Sequence, residues 1–210
     1  MEFISDLFHY IIDNWDNLLS MTLDHILMVV LGLLCALVVG VPLGILCSKN
    51  EKLATVILAI ANIIQVFPSI ALLGVLMIFF GLGFTTVVIG LFLYSLLPII
   101  RNTYVGLKEV DENLTEAGTG VGMTVFQLLY IVKLPLSLPF LVAGIRVAAV
   151  IAVGVATLAP FIGGDGLGRD IVAGINARQP VKIYSGAIIA ALLAIFADIF
   201  LEKVQKKVEH

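Results

Sequence analysis

Charge is what this chain has least of. Only 13% of its 210 residues are Asp, Glu, Lys or Arg, while 60% are hydrophobic, and the mean hydropathy is +1.13. Soluble domains are near a quarter charged and half apolar. A soluble enzyme, a disordered chain, collagen and a coiled coil are therefore excluded. The first 24 residues hold no Lys or Arg, so the basic start of a cleavable signal peptide is missing. Cysteine is limited to Cys35 and Cys47. They lie about three helical turns apart in one apolar stretch, too far for a mutual disulfide, and read as small buried hydrophobes. His9, His25 and His210 are scattered, so no metal centre is expected. GxxxxGK[ST], HExxH, GxSxG and CxxC are all absent. Gly118-Thr119-Gly120-Val121-Gly122 lacks the spacing and the preceding strand of a dinucleotide fingerprint. A net charge of -3 gives nucleic acid no electrostatic reason to bind.

What is present is a series of long apolar runs. Residues 1–20 read as an amphipathic helix, with Phe3, Leu7, Phe8, Ile11, Trp15 and Leu18 on one side and Glu2, Asp6, Asp13 and Asp16 on the other. Its apolar stripe and Trp15 suit a membrane interface or the edge of a bundle. Ile26 to Cys47 is uncharged for 22 residues, enough to cross a hydrocarbon core of about 30 Å. Gly40 and Gly44 make a GxxxG pattern there, a weak signal for close helix approach. Leu53 to Ile100 is uncharged for 48 residues, which fits two spans broken at Gly81-Leu82-Gly83. The second span, about 53–80, carries Pro68, which predicts a kink. A polar insert over 101–133 follows, then a fourth span from about Leu136 to Ala159. A Gly-rich loop runs from Phe161 to Pro180, and a fifth span covers about 183–201. The expected fold is an all-α polytopic membrane bundle of five spans with a short C-terminal tail, 202–210.

Five spans place the two ends on opposite sides. Lys49, Lys52, Arg101, Lys108, Lys133, Lys203, Lys206 and Lys207 collect on one side, eight in all, against Arg169, Arg178 and Lys182 on the other. The basic side is cytoplasmic by the positive-inside rule. The N-terminus is then external, the C-terminus and the insert cytoplasmic, and the Gly-rich loop external.

The insert carries the informative pattern. A helix-like segment opens at Asn113, continues through Met123, Phe126 and Ile131, and is expected to end at a turn over Val132-Lys133-Leu134-Pro135. The order Glu116-Ala117-Gly118, then Gly122, then Val132-Lys133-Leu134-Pro135 resembles the EAA loop of ABC-importer permeases. That pattern is Glu-Ala-Ala, three residues, Gly, nine residues, then Ile-x-Leu-Pro. Gly118 replaces the second Ala and Val132 the Ile, both small changes. The Gly-rich stretch Ile162 to Gly168 is similar to the family as well.

The resemblance implies a type I importer permease fold like that of methionine permeases, in a bacterial inner membrane. Its implied partners are a cytoplasmic ABC ATPase dimer, a second permease copy (the same chain or a related one), an external substrate-binding protein and the lipid bilayer. ATP and Mg would be held by the ATPase, leaving this chain without a cofactor or a catalytic residue. Glu116, Ala117, Gly118, Gly122, Leu134 and Pro135 would form the coupling element. Pro42-Leu43-Gly44, Ile64 to Ser69 and Leu97 to Thr103 look like the betaine/carnitine/choline permeases, which import quaternary-ammonium osmolytes. Permeases for methionine, ergothioneine or another amino acid remain alternatives. An ATP-independent secondary transporter would need membrane-embedded acids, and only Asp198 approaches that role.

Candidate path-lining residues are Asn62, Gln65, Pro68, Ser69, Tyr94 and Thr157, because polar groups in a span face other helices or water. Arg146 and Asp198 lie at similar depth in the fourth and fifth spans. They are expected to pair, with a substrate contact as the alternative, since an unpaired charge there is costly.

Overall fold

The computed structural model describes residues 2–209. Among them there is no strand, and the chain is a bundle of α-helices: α1 (Glu2–Asp13), α2 (Trp15–Lys49), α3 (Glu51–Val66), α4 (Ser69–Phe80), α5 (Phe84–Lys108), α6 (Glu112–Gly120), α7 (Val125–Gln127), α8 (Leu134–Ala156), α9 (Gly168–Ala177) and α10 (Pro180–Val208). A π-helical segment, Leu128–Lys133, joins α7 to α8, and a 3₁₀ turn, Ala159–Ile162, follows α8. Four helical stretches are long and apolar enough to cross a membrane, or five if α3 and α4 together make one broken span.

α5 is the centre. It packs between α2 and α8, with α3 and α4 also resting on it, while α10 lies on α8 and α9 on α10. The α2 contact explains the small residues of α2. Gly32, Ala36, Gly40 and Gly44 recur every fourth residue and are all buried. A Cβ at Gly32 would sit 2.7 Å from Leu91 Cβ, one at Gly40 2.9 Å from Ile99 Cγ2, and one at Gly44 2.5 Å from Thr103 Cβ. The GxxxG pair is thus the end of a longer stripe on which two backbones approach closely. In a membrane, packing of this kind replaces the hydrophobic drive between helices. α8 approaches α5 in the same way: a Cβ at Gly144 would lie 2.8 Å from the Pro98 carbonyl, and one at Gly106 2.6 Å from Phe140 Cβ.

Several expected boundaries differ from the structure. The helix expected over 1–20 is divided at Asn14, and Trp15 to Ser20 begin the long α2. The second span is not merely kinked. α3 and α4 are bent by 101°, with Phe67 and Pro68 both extended between them. Pro68 has no N–H to continue the ladder and biases Phe67 away from helical dihedrals. Residues 101–108 belong to α5 rather than to the polar insert. The turn expected at Val132–Pro135 is helix, continuous from Val125 to Ala156. Leu134 N–H reaches back to the Leu129 carbonyl, and this π spacing accommodates Pro135, which cannot donate and would crowd the carbonyl four residues earlier. The Gly-rich loop ends early, at α9. Gly168 and Gly174 are close-approach residues, since a Cβ would collide with the Thr157 carbonyl at the first and lie 2.7 Å from Ile183 Cγ1 at the second. The expected tail is helical as far as Val208.

Gly44→Leu forces α2 away from Thr103, and overpacking of this kind costs about 1–3 kcal/mol. The variant is expected to unfold at a clearly lower temperature in detergent. Gly74→Ala, where nothing lies within 4 Å of the added Cβ, is expected to leave the midpoint unchanged or raise it. Equal midpoints for the two variants would refute the stripe.

Candidate coupling element and translocation path

The segment after α5 is built from two helix ends. Asp111 caps α6 by accepting from Asn113 N–H at 2.8 Å. At the other end, Gly122 N–H bonds to the Thr119 carbonyl and Met123 N–H to the Gly118 carbonyl, both at 3.0 Å. Gly122 is left-handed, with φ +86°. This is the Schellman arrangement, in which a glycine just past the helix satisfies its last carbonyls. Nothing lies within 4 Å of a Cβ placed on Gly122, so backbone conformation, not space, demands glycine there. Gly118 is small for a different reason: Leu128 Cδ1 lies 2.7 Å and Met123 Sδ 3.3 Å from where its Cβ would be. Thr124 then opens α7 with a capping box, its hydroxyl accepting from Gln127 N–H and the Gln127 amide accepting from Thr124 N–H.

The helix expected to run from 113 to 131 is therefore two helices with a fixed corner. Glu116 and Ala117 are exposed on the first. Around the corner Val121, Val125 and Phe126 are 78%, 75% and 68% exposed, with the Tyr130 ring tilted against Phe126 at a centroid distance of 4.3 Å. Leu134 is half-buried and Pro135 exposed, at the start of α8. A rigid corner with bare apolar side chains is a surface shaped for a partner.

Asn62, Pro68, Gln65 and Ser69 cluster along the bend between α3 and α4, the first two exposed and the others half-buried. Tyr94 departs from expectation. It is 4% exposed, and its hydroxyl donates to the Phe67 carbonyl, so it holds the bend rather than facing an open path. Thr157 is half-buried just past α8, its hydroxyl donating to the Gly154 carbonyl at 2.7 Å.

Arg146 and Asp198 are brought together. The guanidinium donates through Nε and Nη2 to the two Asp198 oxygens and, from Nη2, to Glu202 at 3.2 Å. The fork fits a bidentate carboxylate. Glu202, not foreseen, is shared with Lys206 across one turn of α10.

A polar cluster at the far end of the bundle was also not foreseen. Tyr10 on α1 donates to Asp170 on α9 at 3.0 Å, and Ser185 on α10 donates to the same oxygen at 3.3 Å. A cleft of about 310 Å³ beside them is lined by Asn14, Asn17, Asp24, Asp165, Arg169 and Lys182 among others. Burial, and then the Asp170 carboxylate that accepts its hydrogen bond, push the Tyr10 phenol up to about 12. Partners 160 residues apart leave no local signature in a sequence. Among the described residues no group of His, Cys, Asp and Glu is placed to hold a metal.

Residues 40–210 match the family model described as binding-protein-dependent transport system inner membrane component. Among similar curated proteins is the glycine betaine/carnitine/choline transport system permease protein OpuCD of Bacillus subtilis, 45% identical over 96% of this chain and 88% of that protein. The carnitine transport permease protein OpuCD of Listeria monocytogenes is 44% identical over 98% and 93%. The osmoprotectant import permease protein OsmW of Salmonella typhimurium is 40% identical over 95% of both chains. In structure, a chain of the MetNI methionine ABC transporter in an inward-facing form superposes with a TM-score of 0.81 at 23% identity, covering 92% of this chain and 97% of the other. A chain of an amino acid ABC transporter crystallised with histidines gives 0.74 at 17% identity, covering 96% and 97%. The fold is that of type I ABC-importer permeases.

Two predictions follow from the charged contacts. Arg146→Asp and Asp198→Arg are each expected to lower the detergent melting temperature, and the double exchange to recover part of the loss; no recovery would remove the pair as a stabilising contact. Tyr10 is expected to ionise near pH 12 rather than 10, read as the 295 nm absorbance difference between the parent and Tyr10→Phe. The folded phenol has the raised pKa, so the stability it contributes is present below about pH 10 and lost as pH climbs through 12. An ordinary midpoint near 10 would contradict the contact.

Proposed function

The chain belongs to the family of binding-protein-dependent transport-system inner-membrane components, and from that premise we propose that it forms the translocation path for a quaternary-ammonium or betaine-type solute. Glycine betaine, carnitine and choline are the candidates. The relatives at 40–45% identity over nearly the whole chain support this class, since their names carry these solutes or osmoprotectant import. The path is completed by a second permease copy. An external binding protein delivers the solute, and a cytoplasmic ATPase dimer supplies the energy. The N-terminus and the cleft beside Asp170 face outside, and the C-terminus and the α6–α7 corner face the cytoplasm, a placement supported by the excess of Lys and Arg on that side. α1 lies at the external interface.

The observation that carries the mechanism is the exposed apolar corner of Val121, Val125 and Phe126, fixed by the Gly122 Schellman motif. It is a knob held by α5 on one side and by the continuous helix into α8 on the other. Seated in a groove of the ATPase, it moves with that subunit, and both of its arms lead into the bundle core. ATP-driven closure then favours one arrangement of the spans over the other. The ATP-bound ATPase must grip that arrangement more tightly by several kcal/mol to switch the population. Glu116 and Ala117 face outward on α6 as contact residues, and Leu134 and Pro135 join the knob to α8. Asn62, Gln65, Pro68 and Ser69 line the path.

The test is co-purification of the ATPase with this chain in mild detergent. Native chain is expected to retain it. Glu116→Arg and Phe126→Asp are expected to lose it. Gly122→Val, strained at φ +86°, is expected to weaken it without altering expression. Unchanged retention by all three variants would refute the docking role.

A further inference from the structure

The bend between α3 and α4 leaves main-chain groups without helical partners. Pro68 cannot donate to the Ile64 carbonyl, and the ladder restarts only where Leu72 N–H bonds to the Pro68 carbonyl at 2.9 Å. The Phe67 carbonyl, at the apex, is taken up by Tyr94. Tyr94 is on α5, the most enclosed helix of the bundle, and its ring is 4% exposed. The buried Tyr94 hydroxyl needs this acceptor, because a hydroxyl without a hydrogen bond is costly in an apolar medium.

The surroundings of the apex are different. Val66 is 75% and Phe67 45% exposed, and Pro68 is exposed beside half-buried Gln65 and Ser69. Beyond α4, the chain turns at Gly81 and Gly83, with φ of +79° and +107°. Gly83 N–H there reaches the Ile162 carbonyl at 2.8 Å. α4 is therefore a short rod with a non-helical joint at each end. One joint is tied to the loop after α8 through Gly83, and the other to α5 through one phenol.

We propose that Tyr94 is a positioning residue for transport: its hydroxyl fixes the α3–α4 joint and so sets where Gln65, Pro68 and Ser69 stand along the path. The proposal rests on the reading that this bent pair borders the path. Transport requires the joint to hold one angle in each state of the bundle. The hydrogen bond from Tyr94 on the enclosed α5 biases that angle. Losing it shifts the balance between two arrangements by about fivefold, the size expected of one neutral hydrogen bond. Nothing else in the Tyr94 packing changes when only the oxygen is removed.

The experiment uses the assembled importer in proteoliposomes, with Cys35 and Cys47 replaced by Ala and Ser69→Cys introduced. The rate of modification by a small methanethiosulfonate reagent is measured with and without ATP. In the Tyr94 parent the rate is expected to depend on ATP. Tyr94→Phe is expected to change the resting rate about fivefold and to raise the ATP hydrolysed per solute, with ATPase co-purification unchanged. Ring-fluorinated tyrosine at 94, a stronger donor of nearly the same shape, is expected to move the rate in the opposite direction. This variant decides the matter if Tyr94→Phe fails to assemble. A parent rate blind to ATP would overturn the path reading itself. An ATP-dependent rate that neither substitution alters would leave that reading standing and overturn the role of Tyr94.

Discussion

The approach of other backbones to α5 is the constraint on which this structure depends. α2 comes down on it through Gly32, Ala36, Gly40 and Gly44, α4 through Leu73 over Gly90, and α8 through Gly106 and Gly144. Lipid tails are as apolar as Leu, so burying more Leu would not hold these helices together. Contact area between backbones does. The buried core accordingly contains many small residues, Ala36, Ala54, Ala61, Ala148, Ala152, Ala156 and Ala159 among them. It reads as two storeys along α5, one around Leu91 and Met28 and one around Ile99 and Ile100.

A tight spine lets the peripheral parts be irregular. The α3–α4 joint, the π segment before α8 and the corner after α6 are all departures from regular helix. Each is closed by a specific donor or conformation: the Tyr94 hydroxyl, the Leu134 N–H and the left-handed Gly122. Two of these departures lie on the segment that joins α5 to α8. A displacement of the α6–α7 corner therefore reaches the core by two routes, the end of α5 and the continuous helix into α8. The α3–α4 joint hangs on the same α5. The corner and the α3–α4 joint are connected through packed helices that share α5.

Part of this was legible in the sequence and part was not, for physical reasons. Long uncharged runs are unambiguous because charge in hydrocarbon is costly, so the apolar runs were readable, though residues 101–108 of the expected insert belong to α5. The position of the bend at Pro68 was readable from proline chemistry. Its angle was not, since the bend is held in part by a hydrogen bond to a hydroxyl 27 residues away. Spacing and a family resemblance singled out the segment from Glu116 to Pro135, but why glycine stands at 122 emerges only from the Schellman bonds. Glycines misled where they serve close contact: Gly168 and Gly174 looked like loop and proved to be helix against Thr157 and Ile183. Val132–Pro135 looked like a turn because proline is usually excluded from a helix interior; the π spacing removes that conflict. Tyr10, Asp170 and Ser185 carried no signal, being single polar residues on three separate elements.

The most direct test of the account is solute uptake into proteoliposomes that contain this chain, its ATPase and its binding protein. Labelled glycine betaine, carnitine, choline and methionine would be offered in turn, with ATP inside the vesicles or withheld. Accumulation of a quaternary-ammonium solute is predicted, dependent on internal ATP and on the binding protein, with methionine not accumulated. Uptake that proceeds without the ATPase and follows an ion gradient would contradict the account.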